Sequence, residues 1–406
     1  MKKIIEYIHG AISSVVFIVI ILTFSISKVE GASPPSQYIA INGVQATDAE
    51  FSQISSLFSN SESDISIGIG FIISYLQSPP KTIQDKLVQY LNLSVKYSVP
   101  LIIQIDGECW WNNRSDLWNW WDPDRAGFNP ENRFNVEWTD WTPDSAVKIG
   151  WRNWGRQLRV LPMPNLMSPE YRMACHQEMT NLIPIILKWW QGLPEEKKHL
   201  LIGIKVGWES SIGVNNWYYP GGNDLLNKPE ANDPVYGKTI TQLPSRGVTT
   251  IGYSAVSSAK IASSGPMKEE YQTEVVRRHL EDYCKLARKL GVPRDRLFTH
   301  CGGWSQEETL FNAALNKYSC PGWSFYAHAV DVKEDKAVMN ALKLSDAPYW
   351  GAVEYLLQGD KTTAEWYNAL KNAFNVNKMR YLCIFNWNGI KDNSNAINAI
   401  KQLINE

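Results

Sequence analysis

Eight apolar segments of strand type recur along this chain, and each is followed by a segment with helical periodicity. The strand-type segments occupy residues 38–43, 65–73, 99–106, 200–209, 296–301, 322–328, 349–355 and 380–387. The helical segments occupy residues 47–58, 82–96, 169–191, 268–290, 306–317, 333–344, 362–374 and 393–405. Buried parallel strands appear as near-continuous apolar runs, and their alternation with helices is typical of α/β proteins. We therefore predict an α/β fold, a (β/α)8 TIM barrel formed by a single domain over residues 36–406.

An open, doubly wound parallel sheet is the alternative that the same alternation permits. Such sheets commonly have a glycine-rich GxGxxG turn after the first strand. Here the first strand is followed by "INGVQATD", which lacks that spacing. The closed barrel is therefore the favoured fold.

Two connections in the predicted barrel are far longer than ordinary loops between a strand and a helix. They cover about residues 107–167 and 210–267, after the third and fourth strands, and they hold most of the 18 tryptophans. Long connections in compact domains are usually functional, and in a barrel the loops after the strands form the face that binds ligands. The tryptophans could stack on ligand rings or form the core of a small inserted subdomain, and both roles are compatible.

The N-terminus predicts export. Met1-Lys-Lys precedes an apolar run from about residue 11 to 26, and Val29 and Gly31 suit the small-residue positions before a cleavage site. We interpret residues 1–31 as a secretory signal peptide, with an uncleaved membrane anchor as the alternative. The expected location is therefore extracellular, where Asn92 and Asn113, each in an N-x-S sequence, are candidate glycosylation sites.

Charge and cysteine content exclude several classes of partner and site. The chain has 40 basic and 41 acidic residues, so it has no net positive field for holding a nucleic acid. Its six cysteines show no CxxC spacing, which disfavours a zinc knuckle, and in an exported chain their pairing cannot be chosen from sequence. Cys383 lies in an apolar strand pattern and is expected to be a buried thiol.

Two of the predicted strands end in a glutamate. Glu209 ends the fourth strand in "KVGWESSIG", and Glu354 ends the seventh in "GAVEYLL". A single glutamate there would most simply form an ion pair at the barrel rim. Two carboxyl groups that face each other across one barrel mouth can instead cleave a glycosidic bond, because one donates a proton and the other attacks or stabilises the sugar carbon.

These two strands resemble the catalytic strands of clan A retaining glycoside hydrolases. The resemblance implies that Glu209 is the acid/base and Glu354 the nucleophile of an enzyme that cleaves β-linked sugars. Many members of the clan have an asparagine before the acid/base residue, where it binds the sugar 2-hydroxyl. This chain has Trp208 at that position and no arginine near the tip of the second strand. The resemblance also implies that Tyr326 or His328 orients the nucleophile and that Trp387 forms the floor of the sugar site.

Other residues at the strand tips are candidate contacts to a carbohydrate. Carboxylates accept hydrogen bonds from sugar hydroxyls, and indole rings stack on sugar faces. His300 and His328 could equally be hydrogen-bonded rim residues. The candidate substrate-binding residues are Asp106, Glu108, Trp110, Trp111, Trp208, His300, Tyr326, His328 and Trp387.

The sequence gives little support to other chemistries. A metal site from Asp106, His300 and His328 lacks HxH or HExxH spacing, and no GxSxG turn provides a nucleophilic serine. Cys109 lacks a signature of a nucleophilic cysteine. We expect an exported glycoside hydrolase without metal or organic cofactor. The alternatives are a catalytically silent carbohydrate-binding barrel, an inverting hydrolase and a metal-dependent hydrolase.

Overall fold

A computed structural model describes residues 37–58, 64–154, 156–212, 216–219, 221–238, 249–302 and 308–406. The described residues belong to one compact unit. Its strands are β1 (Gln37–Asn42), β2 (Ile65–Ser74), β3 (Leu101–Asp106), β4 (Gly150–Asn153), β5 (Gln157–Val160), β6 (Leu201–Ser210), β7 (Asn216–Trp217), β8 (Leu297–Cys301), β9 (Gly322–Phe325), β10 (Trp350–Tyr355) and β11 (Met379–Ile384).

Eight of these strands close into a barrel with the order β1-β11-β10-β9-β8-β6-β3-β2, and the neighbouring strands are parallel. Its strands coincide with the eight predicted segments to within a few residues. The prediction of a (β/α)8 barrel is therefore confirmed. The barrel strands β6, β8, β9, β10 and β11 are the fourth to eighth in chain order.

The helices of the described part surround the barrel. They are α1 (Asp48–Leu57), α2 (Pro80–Tyr97), α3 (Ser115–Trp118), α4 (Pro169–Gly192), α5 (Tyr253–Ser258), α6 (Glu269–Lys289), α7 (Glu308–Phe311), α8 (Lys336–Leu344), α9 (Thr363–Phe374), α10 (Trp387–Ile390) and α11 (Ser394–Ile404). Local signals set several of their ends. Ser168 caps α4 with Pro169 in its first turn, and Thr362 and Glu365 form a capping box on α9. None of the helices in the described ranges has the length and apolarity that crossing a membrane requires.

Two apolar clusters stabilise this arrangement. The larger lies between the strands and the helices. The smaller fills the barrel interior with side chains from alternate strand positions, among them Tyr38, Ile102, Ile202, Phe298 and Val353. The core therefore holds the strands at fixed separations, and the carboxyl ends of all eight open at one face.

Two predicted strands end earlier than the sequence pattern indicated. β9 ends at Phe325 rather than at residue 328, because the backbone turns so that the Ala329 amide donates to the Tyr326 carbonyl. β11 ends at Ile384 rather than at residue 387, because Asn386 caps α10 through the Gly389 amide. Tyr326, His328 and Trp387 consequently lie after their strands instead of inside them.

The residues between β3 and α4, together with those after β6, build a second, smaller sheet. It has the order β5-β4-β7 and is antiparallel, with Trp151 opposite Arg159 and Trp217. β4 and β5 follow β3, whereas β7 follows β6. The two long connections therefore meet in one sheet above the barrel.

Candidate active site

Glu209 and Glu354 meet at the mouth of the barrel. Glu209 lies near the end of β6 and Glu354 near the end of β10. One carboxylate oxygen of each and a ring nitrogen of His300 all lie within 4.8 Å of one another. Both side chains are nearly enclosed, with exposed fractions of 2% for Glu209 and 5% for Glu354. We refer to Glu209 and Glu354 as the carboxylate pair.

An irregularity in each strand directs the carboxylate pair into the barrel mouth. The register between β10 and β9 shifts between Ala352 and Glu354, so the successive residues Val353 and Glu354 both face the interior. The register between β6 and β8 shifts between Val206 and Ser210. β-Bulges often lie next to active sites, where they redirect a side chain.

Backbone conformation at the end of β6 is also unusual. Gly207 has φ +83° and Glu209 has φ +48°. Positive φ is readily adopted by glycine but is uncommon for a residue with a Cβ. Sparsely populated backbone conformations cluster at functional sites, where the surroundings enforce them. The conformation of Glu209 therefore supports a functional role for this side chain.

Two tryptophans form the wall beside Glu209. The indole Nε1 of Trp154 donates a hydrogen bond to Glu209 Oε2 at 3.0 Å. The Trp154 ring stacks on Trp208, with ring centroids 5.5 Å apart and planes 18° apart. Trp110 lies 6.1 Å from Trp154, centroid to centroid, and is half-buried. These rings provide an aromatic surface next to the carboxylate pair.

His300 and Ser324 connect the two carboxylates. His300 Nε2 lies 2.8 Å from Ser324 Oγ and 3.6 Å from Glu354 Oε2. The Ser324 hydroxyl also bonds the Glu209 carboxylate. Because a hydroxyl has only one proton to donate, Ser324 donates to Glu209 and accepts from His300 Nε2. Burial and the charge of Lys205 hold the pKa of His300 well below its usual value, so this imidazole is neutral.

The surroundings of the carboxylate pair make it unfavourable for Glu209 and Glu354 to be ionised at the same time. Burial and the charge of Glu209 raise the pKa of Glu354 to about 8, against the opposing effects of Lys205 and a hydrogen bond from Tyr326. Burial also raises the pKa of Glu209, although the charges of Arg152 and Lys205 and the bonds from Ser324 and Trp154 oppose it. Like charges in one enclosed site cannot both form readily, so the pair retains a proton near neutral pH.

Asp106 and Glu108 fix the loop after β3. The Asp106 carboxylate accepts from the amides of Glu108, at 2.9 Å, and Cys109, at 3.4 Å. Burial and the charge of Glu108 raise the pKa of Asp106 to about 7. Glu108 accepts from the hydroxyl of Ser210 and lies 3.1 Å from His279 Nε2. Burial opposes the ionisation of Glu108, but His279 and Ser210 hold its pKa below the usual value. The loop is thereby joined to the residue that follows Glu209.

The remaining predicted contacts have different surroundings. Trp111 is buried, donates from Nε1 to the Pro162 carbonyl at 3.1 Å and packs against Tyr171. Trp387 is buried in the larger core cluster, and His328 is exposed. Substrate contacts by Trp111, Trp387 and His328 stay predictions. The side chain of Trp217, in the connection after β6, lies outside the described residues.

Four functional candidates were not predicted as site residues from the sequence. They are Trp154, Ser324, Lys205 and Arg152. Lys205 gave a signal, since a lysine in the apolar run "LLIGIKVGWE" lies four residues before Glu209. No sequence signal indicated Trp154 or Arg152, because their place beside the barrel depends on how the long connection after β3 folds.

A cation is the alternative occupant of this site. Within the part of the chain that the structure describes, Glu209, His300 and Glu354 are the group whose ligand atoms converge closely enough to hold a metal ion. Asp106 and His328, which the sequence suggested as partners of His300, do not belong to this group. The ammonium group of Lys205 acts on both carboxylates and would repel a second cation. The donor set is thus better suited to proton and sugar chemistry than to a divalent ion.

All six cysteines lie in the described part as buried free thiols: Cys109, Cys175, Cys284, Cys301, Cys320 and Cys383. The expectation for Cys383 agrees with this. Cys109 Sγ lies 3.0 Å from Arg152 Nη2, and burial raises the pKa of the Cys109 thiol well above its usual value. A thiol in this state is a poor nucleophile.

Comparison with known proteins assigns this chain to no family. No family model matches the chain, and no curated protein matches it. The PgaB (BpsB) glycoside hydrolase domain from Bordetella bronchiseptica aligns over 92% of this chain and 99% of that chain, with 11% identity and a TM-score of 0.45. A glycoside hydrolase family 5 enzyme from Prevotella bryantii aligns over 92% and 97%, with 8% identity and a TM-score of 0.44. At these values neither likeness assigns a family or a substrate to this chain.

Proposed function

We propose that this protein is a retaining glycoside hydrolase that acts on a β-linked sugar. The observation that carries the proposal is the pair of buried carboxyl groups, with oxygens within 4.8 Å of each other, at the mouth of the barrel. Retaining enzymes place their two carboxyl groups about 5–5.5 Å apart, whereas inverting enzymes leave about 6.5–9.5 Å for a water molecule. The close approach favours retention.

We assign the roles of the two glutamates as their resemblance to the catalytic strands of clan A glycoside hydrolases implies. Glu354 attacks the anomeric carbon while the bond from that carbon to the leaving oxygen breaks, and Glu209 gives its proton to the leaving oxygen. Glu209, now ionised, then takes a proton from water. The resulting hydroxide displaces Glu354 from the sugar, and both groups return to their starting states.

The surrounding residues support each step. The hydrogen bond from Tyr326 and the positive charge of Lys205 favour the ionised form of Glu354 that attacks. The hydrogen bonds from Trp154 and Ser324 favour the ionised form of Glu209 that exists after proton transfer. Trp110, Trp154 and Trp208 offer ring faces to a sugar.

A substrate screen tests this function. The wild-type protein, Glu354→Gln and Glu209→Gln are assayed on aryl β-glycosides and cell-wall polysaccharides, with and without a metal chelator. We expect turnover by the wild type, none by Glu354→Gln, and loss by Glu209→Gln that is greatest for poor leaving groups, because activated aryl groups need little protonation. Binding of polysaccharide without any hydrolysis would favour the silent carbohydrate-binding barrel. Loss of activity on chelation would favour the metal-dependent alternative.

We also propose that the protein is exported. The support is the sequence of residues 1–31, which lies outside the described residues, and the exposure of Asn92 on α2 and of Asn113 in the loop after β3. Mass analysis of protein from the medium of a eukaryotic host tests both features. We expect an N-terminus near residue 32 and a mass decrease on deglycosylation that is smaller in Asn113→Gln. An intact N-terminus in a membrane fraction would indicate the anchor instead.

A further inference from the structure

The side chain of Lys205 lies inside the barrel. It lies on β6 four residues before Glu209, and only 3% of its surface is exposed. An ammonium group in an apolar interior is costly unless it is paired and hydrogen-bonded. Burial accordingly lowers the pKa of Lys205, while nearby Cys383, Glu354 and Glu209 oppose that decrease. The free-energy cost of burying this ammonium group must therefore be offset by its hydrogen bond and by nearby negative charge.

The hydrogen bond of Lys205 crosses the barrel. Its Nζ donates to the carbonyl oxygen of Val353 at 3.0 Å. β6 and β10 are not neighbours, since β8 and β9 lie between them in the barrel order. Val353 is the residue at the register shift in β10, and it immediately precedes Glu354. One side chain thus joins the strand that positions Glu209 to the backbone that positions Glu354.

The charge of Lys205 acts on the same two residues. It lowers the pKa of Glu354 and of Glu209, against the burial that raises both. The other titratable groups that face it are His300 on β8, which its charge helps to keep neutral, and Cys383 on β11, whose pKa burial raises to about 12. In the described interior around Lys205, the carboxylate pair is therefore its source of negative charge.

We propose that Lys205 is a positioning residue of this active site. It ties the strand of the acid/base to the strand of the nucleophile and balances the negative charge that Glu354 carries before attack. This inference rests on the proposed function. If the hydrogen bond of Lys205 to Val353 only stabilised the fold, its loss would leave the ionisation of the carboxylate pair unchanged, so a measurement of that ionisation distinguishes the two roles.

Three substitutions separate charge from hydrogen bonding. Lys205→Met removes both, Lys205→Gln keeps a donor for the Val353 carbonyl without the charge, and Lys205→Arg keeps both. Lys378→Met is the control, because Lys378 Nζ also donates to a backbone carbonyl, that of Ala347, at 3.4 Å. Lys378 precedes β11 and therefore lies at the end of the barrel opposite to the carboxylate pair. Each variant is compared with the wild type in kcat, in KM and in the pH dependence of kcat/KM on an activated aryl glycoside, and in its thermal unfolding.

We expect Lys205→Met and Lys205→Gln to lower kcat at least about tenfold with little change in KM, and to move the acidic limb about one unit to higher pH. The sign follows because loss of a positive charge raises the pKa of the nucleophile. In Lys205→Arg and in Lys378→Met, the acidic limb should stay at the wild-type pH. If Lys205→Met does not fold, the comparison of Lys205→Gln with Lys205→Arg gives the same answer.

Two failures are distinguishable. An active wild type with the same acidic limb in folded Lys205→Gln would overturn the role of Lys205 and leave the proposed function intact. A wild type that hydrolyses no glycoside would overturn the proposed function, and the role of Lys205 with it.

Discussion

At the scale of single residues, the site depends on two carboxyl groups that share one enclosed space. Each is raised in pKa by burial, and Trp154, Ser324, Tyr326 and Lys205 favour their ionised forms. Catalysis by such a pair requires one protonated and one ionised member at the same time. The balance between burial and these partners therefore sets the pH range in which the protein can work.

The first prediction concerns that range. Below the lower apparent pKa of the pair both groups are protonated and no nucleophile exists; above the higher one both are ionised and no acid exists. Because burial raises the pKa of both carboxyl groups and their mutual repulsion keeps one of them protonated, we expect a bell-shaped profile of kcat/KM whose alkaline limb reports the higher apparent pKa of the pair. Glu209→Gln should lose that limb on an activated aryl glycoside. A limb that persists unchanged in Glu209→Gln would assign it to another group.

The second prediction concerns Trp154. Trp154→Phe keeps a ring beside Trp208 but removes the N–H that donates to Glu209. Since that bond stabilises the ionised form, its loss should raise the pKa of Glu209 and shift the alkaline limb to higher pH. Trp120→Phe is the control, because the Trp120 indole donates to the Val147 carbonyl in the loop. Identical profiles for both variants would contradict the role of Trp154.

At the scale of elements, the strand ends are packed so tightly that they fix the direction of Glu209. Gly302 follows β8, and a Cβ there would lie 2.3 Å from the Cβ of Glu209 and 2.4 Å from its Cα. Real atoms do not approach so closely, so any side chain at residue 302 must displace the end of β6. The glycine is therefore required by the approach of two strands rather than by its own backbone conformation.

The third prediction follows from this contact. Gly302→Ala should lower kcat/KM at least about tenfold, because displacements of about 1 Å at a catalytic group have effects of that size or larger. Gly192→Ala serves as the control, since a Cβ there would meet no atom within 4 Å. Circular dichroism and thermal unfolding establish that both variants are folded. Full activity of Gly302→Ala would mean that the end of β6 adjusts freely.

The fourth prediction concerns the contact between the two long connections. Glu137 belongs to the connection after β3 and is buried near the backbone amides of Gly252, Ser254 and Ala255, which belong to the connection after β6. Burial raises the pKa of Glu137 to about 8, because it outweighs the opposing effect of these amides. A folded-state pKa above the unfolded value means that the folded form binds more protons between about pH 4.5 and 8, so its stability falls as pH rises through that window.

Glu137→Gln should remove this contribution. Between pH 5 and pH 8, urea unfolding should show a smaller loss of stability for the variant than for the wild type, because a neutral amide does not titrate. Glu131→Gln is the control, since Glu131 lies in the same connection and is exposed. Equal losses for wild type and Glu137→Gln would show that Glu137 is already ionised without cost in the folded protein.

At the scale of the whole molecule, the barrel could be predicted because its signals are local. Strand-type runs and helical periodicity are properties of neighbouring residues, and closure then places Glu209 and Glu354 at one mouth. The wall of the site could not be predicted in the same way. Trp154 reaches Glu209 through a sheet whose strands come from two connections, and such pairings depend on residues far apart in the sequence.

The tryptophans illustrate the same limit. Trp110 and Trp111 are adjacent after β3, yet Trp110 is half-buried beside Trp154 whereas Trp111 packs against Tyr171 in the core. A tryptophan after a strand end can face either the mouth or the core, and composition does not distinguish these outcomes. The order of the strands was thus enough to predict the carboxylate pair, whereas its aromatic surroundings depend on tertiary packing.

The central claim is that Glu354 forms a bond to the sugar and Glu209 transfers the protons. Azide rescue tests it most directly, with Glu209→Ala and Glu354→Ala assayed on an activated aryl β-glycoside and the glycosyl azide products analysed by NMR. Azide needs no general base, so it should rescue Glu209→Ala with retained configuration by attacking the glycosyl-enzyme, and Glu354→Ala with inverted configuration by direct attack. The opposite pattern would exchange the two roles, and unchanged hydrolysis by both variants without azide would contradict the account.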